Sequence, residues 1–456
     1  MSLSASLPDL VAALPTGMVV TDADILAGYR QDRAQDPAAG TPAALVRPTT
    51  TAEVQTTLRW CAAHAVPLVT RGAGTSLSGG STAVDGALVL STERMRGLSI
   101  DSATRTATVQ PGLLNAEVKA AAAEHGLWYP PDPSSFEICS IGGNVATNAG
   151  GLCCVKYGVT ADYVLGLEVV LADGRAVRLG GKQIKDSAGL SLTRLFVGSE
   201  GVLGVVTEVT LRLLPPQPSA CTVVGIFPSV SAASAAVLAV TEQIRPAMLE
   251  FMDAVSLNAV EDLLHMGLPR DAAALLIGQS DAPGAAGQAE VALMQQVFQS
   301  HGATEVFATD DPAEGEAFAA ARRAAIPAVE KLGSLLLEDV GVPLPALPAL
   351  IEGVAAISDT QRVTIAVVAH AGDGNTHPLI VFDPGDADQS QRAQLAFGQV
   401  MDLAIALDGT ITGEHGVGRL KKGWLPDQVG ADVMQMTAAI KAALDPDGLL
   451  NPGVIL

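Results

Sequence analysis

Three glycine-rich stretches, each set among short β-forming segments, constrain this chain more than any other feature. The first, Pro67-Leu-Val-Thr-Arg-Gly-Ala-Gly-Thr-Ser-Leu-Ser-Gly-Gly80, has glycines at 72, 74, 79 and 80. Glycine turns through backbone conformations closed to other residues. Successive N–H groups can then point at one spot and hold a pyrophosphate without basic side chains. This is not the dinucleotide fingerprint of doubly wound folds: the third glycine comes late, and a strand (Ala87–Ser91) follows where a helix should. An ordinary glycine hairpin explains this stretch equally well. The second, Ser140-Ile-Gly-Gly-Asn-Val-Ala-Thr-Asn-Ala-Gly-Gly151, carries four glycines and two asparagines in twelve residues, too many for a plain loop. Thr147 and Asn148 offer hydrogen bonds to a flat, polar-edged ring, and Pro130-Pro-Asp-Pro133 before it reads as an extended wall. The third is Gly198-Ser-Glu-Gly-Val-Leu-Gly204. Three such loops with no Walker lysine favour a large dinucleotide bound outside a Rossmann fold.

The loops lie in a region of β rhythm, with strands expected at Val66–Thr70, Ala87–Ser91, Thr106–Val109, Val164–Leu171 and Val205–Leu213, and helices at Thr51–His64 and Asn115–His125. Pro215-Pro-Gln-Pro218 cannot continue a ladder and marks a boundary. Beyond it strands and helices alternate in ferredoxin-like α+β units. We expect there an antiparallel sheet with helices on one face. The chain's 456 residues fit two or three domains.

Acidic residues number 48 against 27 basic, a net charge of −21, which argues against nucleic acid as a partner. No stretch is long and apolar enough to span a bilayer. No basic residue precedes Arg30, so the start does not read as a signal peptide. Five cysteines, an odd number without a CxxC pair, fit reduced thiols in the cytoplasm.

Near the C-terminus, His370-Ala-Gly-Asp-Gly-Asn-Thr-His377 joins two apolar strands, and Gly413-Glu-His-Gly-Val-Gly418 follows a helix. Two imidazoles and a carboxylate suit Zn²⁺, Mn²⁺ or Fe²⁺ with an open coordination position. The alternative, histidines hydrogen-bonded within turns, is the better reading for one isolated histidine but not for this cluster.

The ordered motifs Arg71–Ser76, Pro130–Pro133, Gly142–Gly151 and Gly198–Gly204 resemble the FAD domain of the vanillyl-alcohol-oxidase/PCMH flavoprotein superfamily. The resemblance spans about residues 40–456. It is nearest to the FAD-linked 2-hydroxyacid dehydrogenases: flavin subunits of glycolate oxidase, D-lactate dehydrogenases and D-2-hydroxyglutarate dehydrogenases. It implies an α+β protein with a two-subdomain PCMH-type FAD-binding domain (41–218) after an N-terminal helical segment (1–40). A cap domain with an antiparallel sheet (219–430) and a returning C-terminal segment (431–456) complete it.

The resemblance also implies the site. FAD would be held by Arg71, Gly72, Ala73, Gly74, Thr75, Ser76, Gly79 and Gly80 at the pyrophosphate. Pro131, Asp132, Gly142, Gly143, Thr147, Asn148, Gly150 and Gly151 would lie near the isoalloxazine, with Glu200, Gly201, Val205 and Asn451 completing the set. Covalent relatives carry His where Thr75 stands, so the flavin is expected to be non-covalent. His370, His377 and Glu414 would bind a divalent metal, Zn²⁺ or Mn²⁺, and His415 would be the base. A histidine titrates near neutrality, which suits that role.

Arg322 aligns with the arginine that holds the substrate carboxylate, within a one-residue uncertainty of register against Arg323. Relatives acting on 2-hydroxyglutarate have Lys near Leu337 and Asn at Leu379. Two leucines there imply a D-2-hydroxy monocarboxylic acid such as glycolate, D-lactate or a larger acid. A 2-hydroxyglutarate enzyme and a non-catalytic flavin subunit are the alternatives. Electrons would pass to a quinone, an iron–sulfur subunit or an electron-transfer protein. The enzyme is expected in the cytoplasm or peripheral to a membrane through a partner, and a homodimer is compatible.

Overall fold

The computed structural model describes residues 3–34 and 36–456. The chain divides into two units. One takes Met1–Gly150, Val159–Pro216 and Glu414–Leu456; the other takes Gly151–Gly158 and Gln217–Gly413. The last crossing, Gly413/Glu414, lies upstream of residue 431, where the sequence alone places the start of the returning segment.

The first unit holds two sheets. Strands β1 (Val19–Val20), β2 (Ala44–Val46), β3 (Leu68–Arg71) and β4 (Leu88–Ser91) are ordered β1-β2-β4-β3, with β4 parallel to both β2 and β3. Strands β2 and β4 are buried at every position, as parallel strands are when both faces are covered. The helix Thr51–His64 makes the crossover. It starts at a capping box in which Thr50 and Glu53 satisfy each other's backbone N–H groups. Its Val54, Leu58 and Cys61 share a core with Leu68, Leu88 and Leu90.

The second sheet of this unit is antiparallel throughout: β5 (Leu98–Asp101), β6 (Thr106–Val109), β7 (Val164–Val170), β8 (Ala176–Gly180) and β9 (Val205–Arg212), ordered β5-β6-β9-β7-β8. Along β9 burial alternates residue by residue, the period of two that a strand imposes.

The second unit is built on an antiparallel sheet of eight strands: β10 (Cys221–Phe227), β11 (Met248–Asp253), β12 (Ala274–Ser280), β13 (Glu305–Thr309), β14 (Ser334–Leu337), β15 (Val340–Gly341), β16 (Thr364–His370) and β17 (Asn375–Phe382). The order is β13-β10-β12-β11-β16-β17-β14, and β15 also pairs with β17. Helices cover both faces, which corrects the expectation of one. Ala254–Leu264, Pro312–Arg323 and Ala325–Val329 share a core with Val224, Met252, Ile277, Val368 and Leu379. Val230–Thr241, Ala285–Ser300, Leu347–Gln361 and Ala387–Ala406 form the other layer. There Gly225 and Gly278 make room for Phe298 and Met294. The reason is in the strands: β12, β16 and β17 are buried at nearly every position, so neither face is left for water.

No helix among the described residues is long and apolar enough to cross a membrane.

Candidate active site

In the first unit the second glycine motif is a helix, Ile141–Thr147, and not a loop. Ser140 caps it: its Oγ accepts from the N–H of Gly143 and also from Ala73 of the first motif. One hydroxyl thus draws two glycine motifs together. A Cβ on Gly72 would sit 2.4 Å from that oxygen, so only glycine fits there. On the helix, Ile141, Asn144 and Val145 face inward, while Gly142, Gly143, Ala146 and Thr147 form a half-exposed face of small residues. Gly72 and Gly74–Leu77 are likewise half-buried, and Ala73 is exposed. These two strips of small residues, flanked by buried ones, form a backbone-lined cradle that larger side chains would fill. They fit a dinucleotide.

Several residues expected at the cofactor use their side chains within the fold. Arg71 is buried, donates to the Gln31 carbonyl at 2.8 Å and lies over the Tyr29 ring. Its guanidinium also packs against Gly74, whose φ of +73° is open to glycine. Thr147 Oγ1 bonds the Gly143 carbonyl, and Asn148 caps the helix in the left-handed region with Oδ1 on the Ala161 N–H. Val205 begins β9 and lies in the apolar core. Thr75 and Asp132 are half-buried; Pro131, Gly79, Gly150 and Gly151 are buried.

Glu200 and Asn451 act on backbone. Glu200 is buried, and its two oxygens accept the N–H groups of Val417 at 2.7 Å and Gly418 at 2.8 Å. Burial pushes its carboxyl up to about 7, against the pull of those N–H groups and of the Lys421 charge. Asn451 accepts from the Thr70 N–H and donates to the carbonyls of Glu200 and Gly80, and Gly201 packs against it. Ser78, a residue the sequence did not single out, donates to the His415 carbonyl at 3.1 Å. The segment carrying Glu414 and His415 is therefore held by main-chain atoms. The two side chains lie 3.6 Å apart.

In the second unit strand register builds the histidine pair. Val368 faces His377 across β16 and β17, so His370, two residues along, is on the same face. The rings meet edge to face, centroids 5.1 Å apart, and both are buried. Each Nδ1 is turned to a buried carboxylate: His370 to Glu250 at 2.9 Å, His377 to Asp339 at 3.7 Å. Asp339 also accepts from Thr412 Oγ1 and from the Gly413 N–H, one peptide bond before Glu414.

Glu250 and Asp339 escaped the sequence reading. Asp339 stands beside Glu338 between β14 and β15, whereas Glu250 is a charged residue in a buried strand, which was the available signal. Arg322 is 2% exposed; its Nε lies 2.9 Å from Glu250, an ion-pair distance, and neither Nε nor Nη2 has a hydrogen-bond partner among the described residues. Arg323 pairs instead with the exposed Glu316, so Arg322 is the inward-facing residue of the two. The face that carries His377 continues to Leu379, paired directly with Leu337 of β14.

Residues 42–180 match the FAD binding domain, and residues 216–455 match the C-terminal domain of FAD linked oxidases. The chain belongs to the FAD-linked oxidases. Among relatives of this FAD-linked oxidase, the glycolate oxidase subunit GlcD of Bacillus subtilis (strain 168) is 41% identical over 90% of this chain and 88% of its own length. GlcD of Escherichia coli (strain K12) is 43% identical over 90% and 83%. The D-lactate dehydrogenase of Archaeoglobus fulgidus is 34% identical over 90% and 91%. Among solved structures, p-cresol methylhydroxylase with substrate bound shares the fold at 17% identity and a TM-score of 0.82, over 99% of this chain and 96% of the other. The protein is an FAD-dependent oxidoreductase.

Proposed function

We propose that this oxidoreductase converts a D-2-hydroxy monocarboxylic acid, such as glycolate or D-lactate, to the 2-oxo acid and hands the electrons to a separate acceptor. The observation that carries the reading is Arg322: a buried guanidinium with an unpartnered Nη2, where a carboxylate is the natural counter-charge. Support comes from relatives named as glycolate oxidase subunits and D-lactate dehydrogenases.

Arg322 binds the substrate carboxylate through its planar fork. Leu337 and Leu379 pack against the substituent on the hydroxyl-bearing carbon and exclude water and a second charge. An imidazole nitrogen of His415 accepts the hydroxyl proton. His370, His377 and Glu414 would hold a divalent metal, Zn²⁺ or Mn²⁺, with Nε2 as the histidines' coordinating atom because Nδ1 faces a carboxylate. When bound, FAD supplies the hydride acceptor and the metal a Lewis-acidic charge that polarises the hydroxyl.

That the GlcD relatives are named subunits supports a protein partner as the acceptor. The test is anaerobic: glycolate, D-lactate, L-lactate and D-2-hydroxyglutarate are mixed with the purified protein and flavin absorbance is followed. Bleaching by a D-2-hydroxy monocarboxylic acid is expected; an unchanged spectrum with all four rules the reading out.

A further inference from the structure

Strand β11 reads Met-Leu-Glu-Phe-Met-Asp, and its Glu250 is fully buried in an otherwise apolar stretch. A carboxylate in such a place is costly unless it is paired. Glu250 has two partners, and both belong to the chemistry proposed above. Its oxygens lie 2.9 and 3.0 Å from His370 Nδ1, and Oε2 lies 2.9 Å from Arg322 Nε. The register explains how. Phe251 pairs with Ala369 and Met252 with Val368, so continuing the ladder one step sets Glu250 beside His370.

Resting on that functional reading, we infer that Glu250 is a positioning residue that serves the metal and substrate sides of the site with a single carboxylate. As an acceptor it fixes the proton of His370 on Nδ1, so that the lone pair of Nε2 faces outward and the ring becomes a better ligand. As a counter-charge 2.9 Å from Nε it holds the guanidinium by charge pairing and leaves the Nη2 edge for the substrate carboxylate. A buried ion pair that served only the core could be exchanged for apolar residues at little loss; this one could not. Asp339, by contrast, faces His377, the Thr412 hydroxyl and the Gly413 N–H.

The test uses full-length protein with FAD bound and its metal stripped, as wild type, Glu250→Gln and Asp339→Asn. Mn²⁺ affinity is measured by calorimetry. Carboxylate affinity is measured with propionate, which lacks the hydroxyl and cannot turn over, through its perturbation of flavin absorbance. Glutamine is near-isosteric but offers an N–H to Nδ1 and carries no charge. Glu250→Gln should weaken Mn²⁺ by about 10–100-fold and propionate by roughly tenfold. Asp339→Asn should weaken Mn²⁺ alone. Either affinity within twofold of wild type in Glu250→Gln overturns the inference, and so does an equal loss of both in the two variants. If Glu250→Gln does not keep its flavin, ¹⁵N-histidine NMR of the wild type decides: a His370 proton on Nδ1 supports the inference and one on Nε2 overturns it. Failure of the functional reading looks different, since wild type would then neither bind propionate nor be bleached by any 2-hydroxy acid.

Discussion

Leu337 of β14 and Leu379 of β17 stand directly opposite each other, on the sheet face that also carries His377. If these leucines line the substrate pocket as proposed, a second carboxylate brought against them would lose its hydration and gain no partner, at a cost of a few kcal/mol or more. At ~1.4 kcal/mol per tenfold, kcat/KM for D-lactate should exceed that for D-2-hydroxyglutarate by about a hundredfold. Leu337→Lys should narrow the gap. Steady-state kinetics on both acids checks this, and a preference for the dicarboxylate in wild type would show the wall to be elsewhere.

His415→Ala should keep FAD and lose about 10²–10⁴-fold in kcat, the usual contribution of a positioned base. The segment stays in place because Ser78 and Glu200 hold it by the main chain of His415, Val417 and Gly418. Stopped-flow flavin reduction reads the chemical step directly; a rate within a few-fold of wild type removes His415 from it.

Glu200 makes stability depend on pH. An unfolded glutamate titrates near 4.5, whereas burial raises the folded carboxyl to about 7. The folded state therefore binds this proton more tightly. Its stabilising effect is complete below pH 4.5 and is lost as pH rises through 7, by about 3 kcal/mol at most. Asp253, raised by burial to about 6, slopes the same way, so the comparison must be between wild type and Glu200→Gln. Their difference in Tm should change between pH 4.5 and 7 and level off above; a constant difference contradicts the assignment.

Thr75 offers no nitrogen for a histidyl–flavin bond. Acid precipitation should leave the yellow colour in the supernatant, read by absorbance of the two fractions.

Chelation with EDTA, or His377→Ala, should abolish turnover while the flavin spectrum persists, since the three ligands proposed, His370, His377 and Glu414, leave no spare donor. Full turnover by protein shown metal-free by elemental analysis is the contrary result.

Much of this site was legible because its parts are short and local. Glycines 72 and 74, the two histidines of the His370–His377 turn and the Gly413–Gly418 segment announce themselves within a few residues. What lay hidden depends on partners far along the chain. The glycines at 142 and 143 disguise a helix whose cap, Ser140, acts by reaching Ala73. Glu250 looks like an interruption of a strand until β16 brings His370 beside it. Glu200 and Asn451 read as cofactor residues from their motifs, yet their side chains bind backbone. Helices on both faces went unread because continuous burial along β12 and β16 gives no alternation to count.

The main chain of Leu68, on β3, is bonded on one side to Leu449 and Asn451, and Thr70 is tied to the Asn451 side chain across 381 residues of sequence. During synthesis, which runs from the N-terminus, β3 must wait for that stretch of polypeptide before its edge is closed. The whole second unit has been made by then and can fold first. A nascent chain stalled before Asn451 would expose an open edge in the first unit, the kind of surface on which chaperones act.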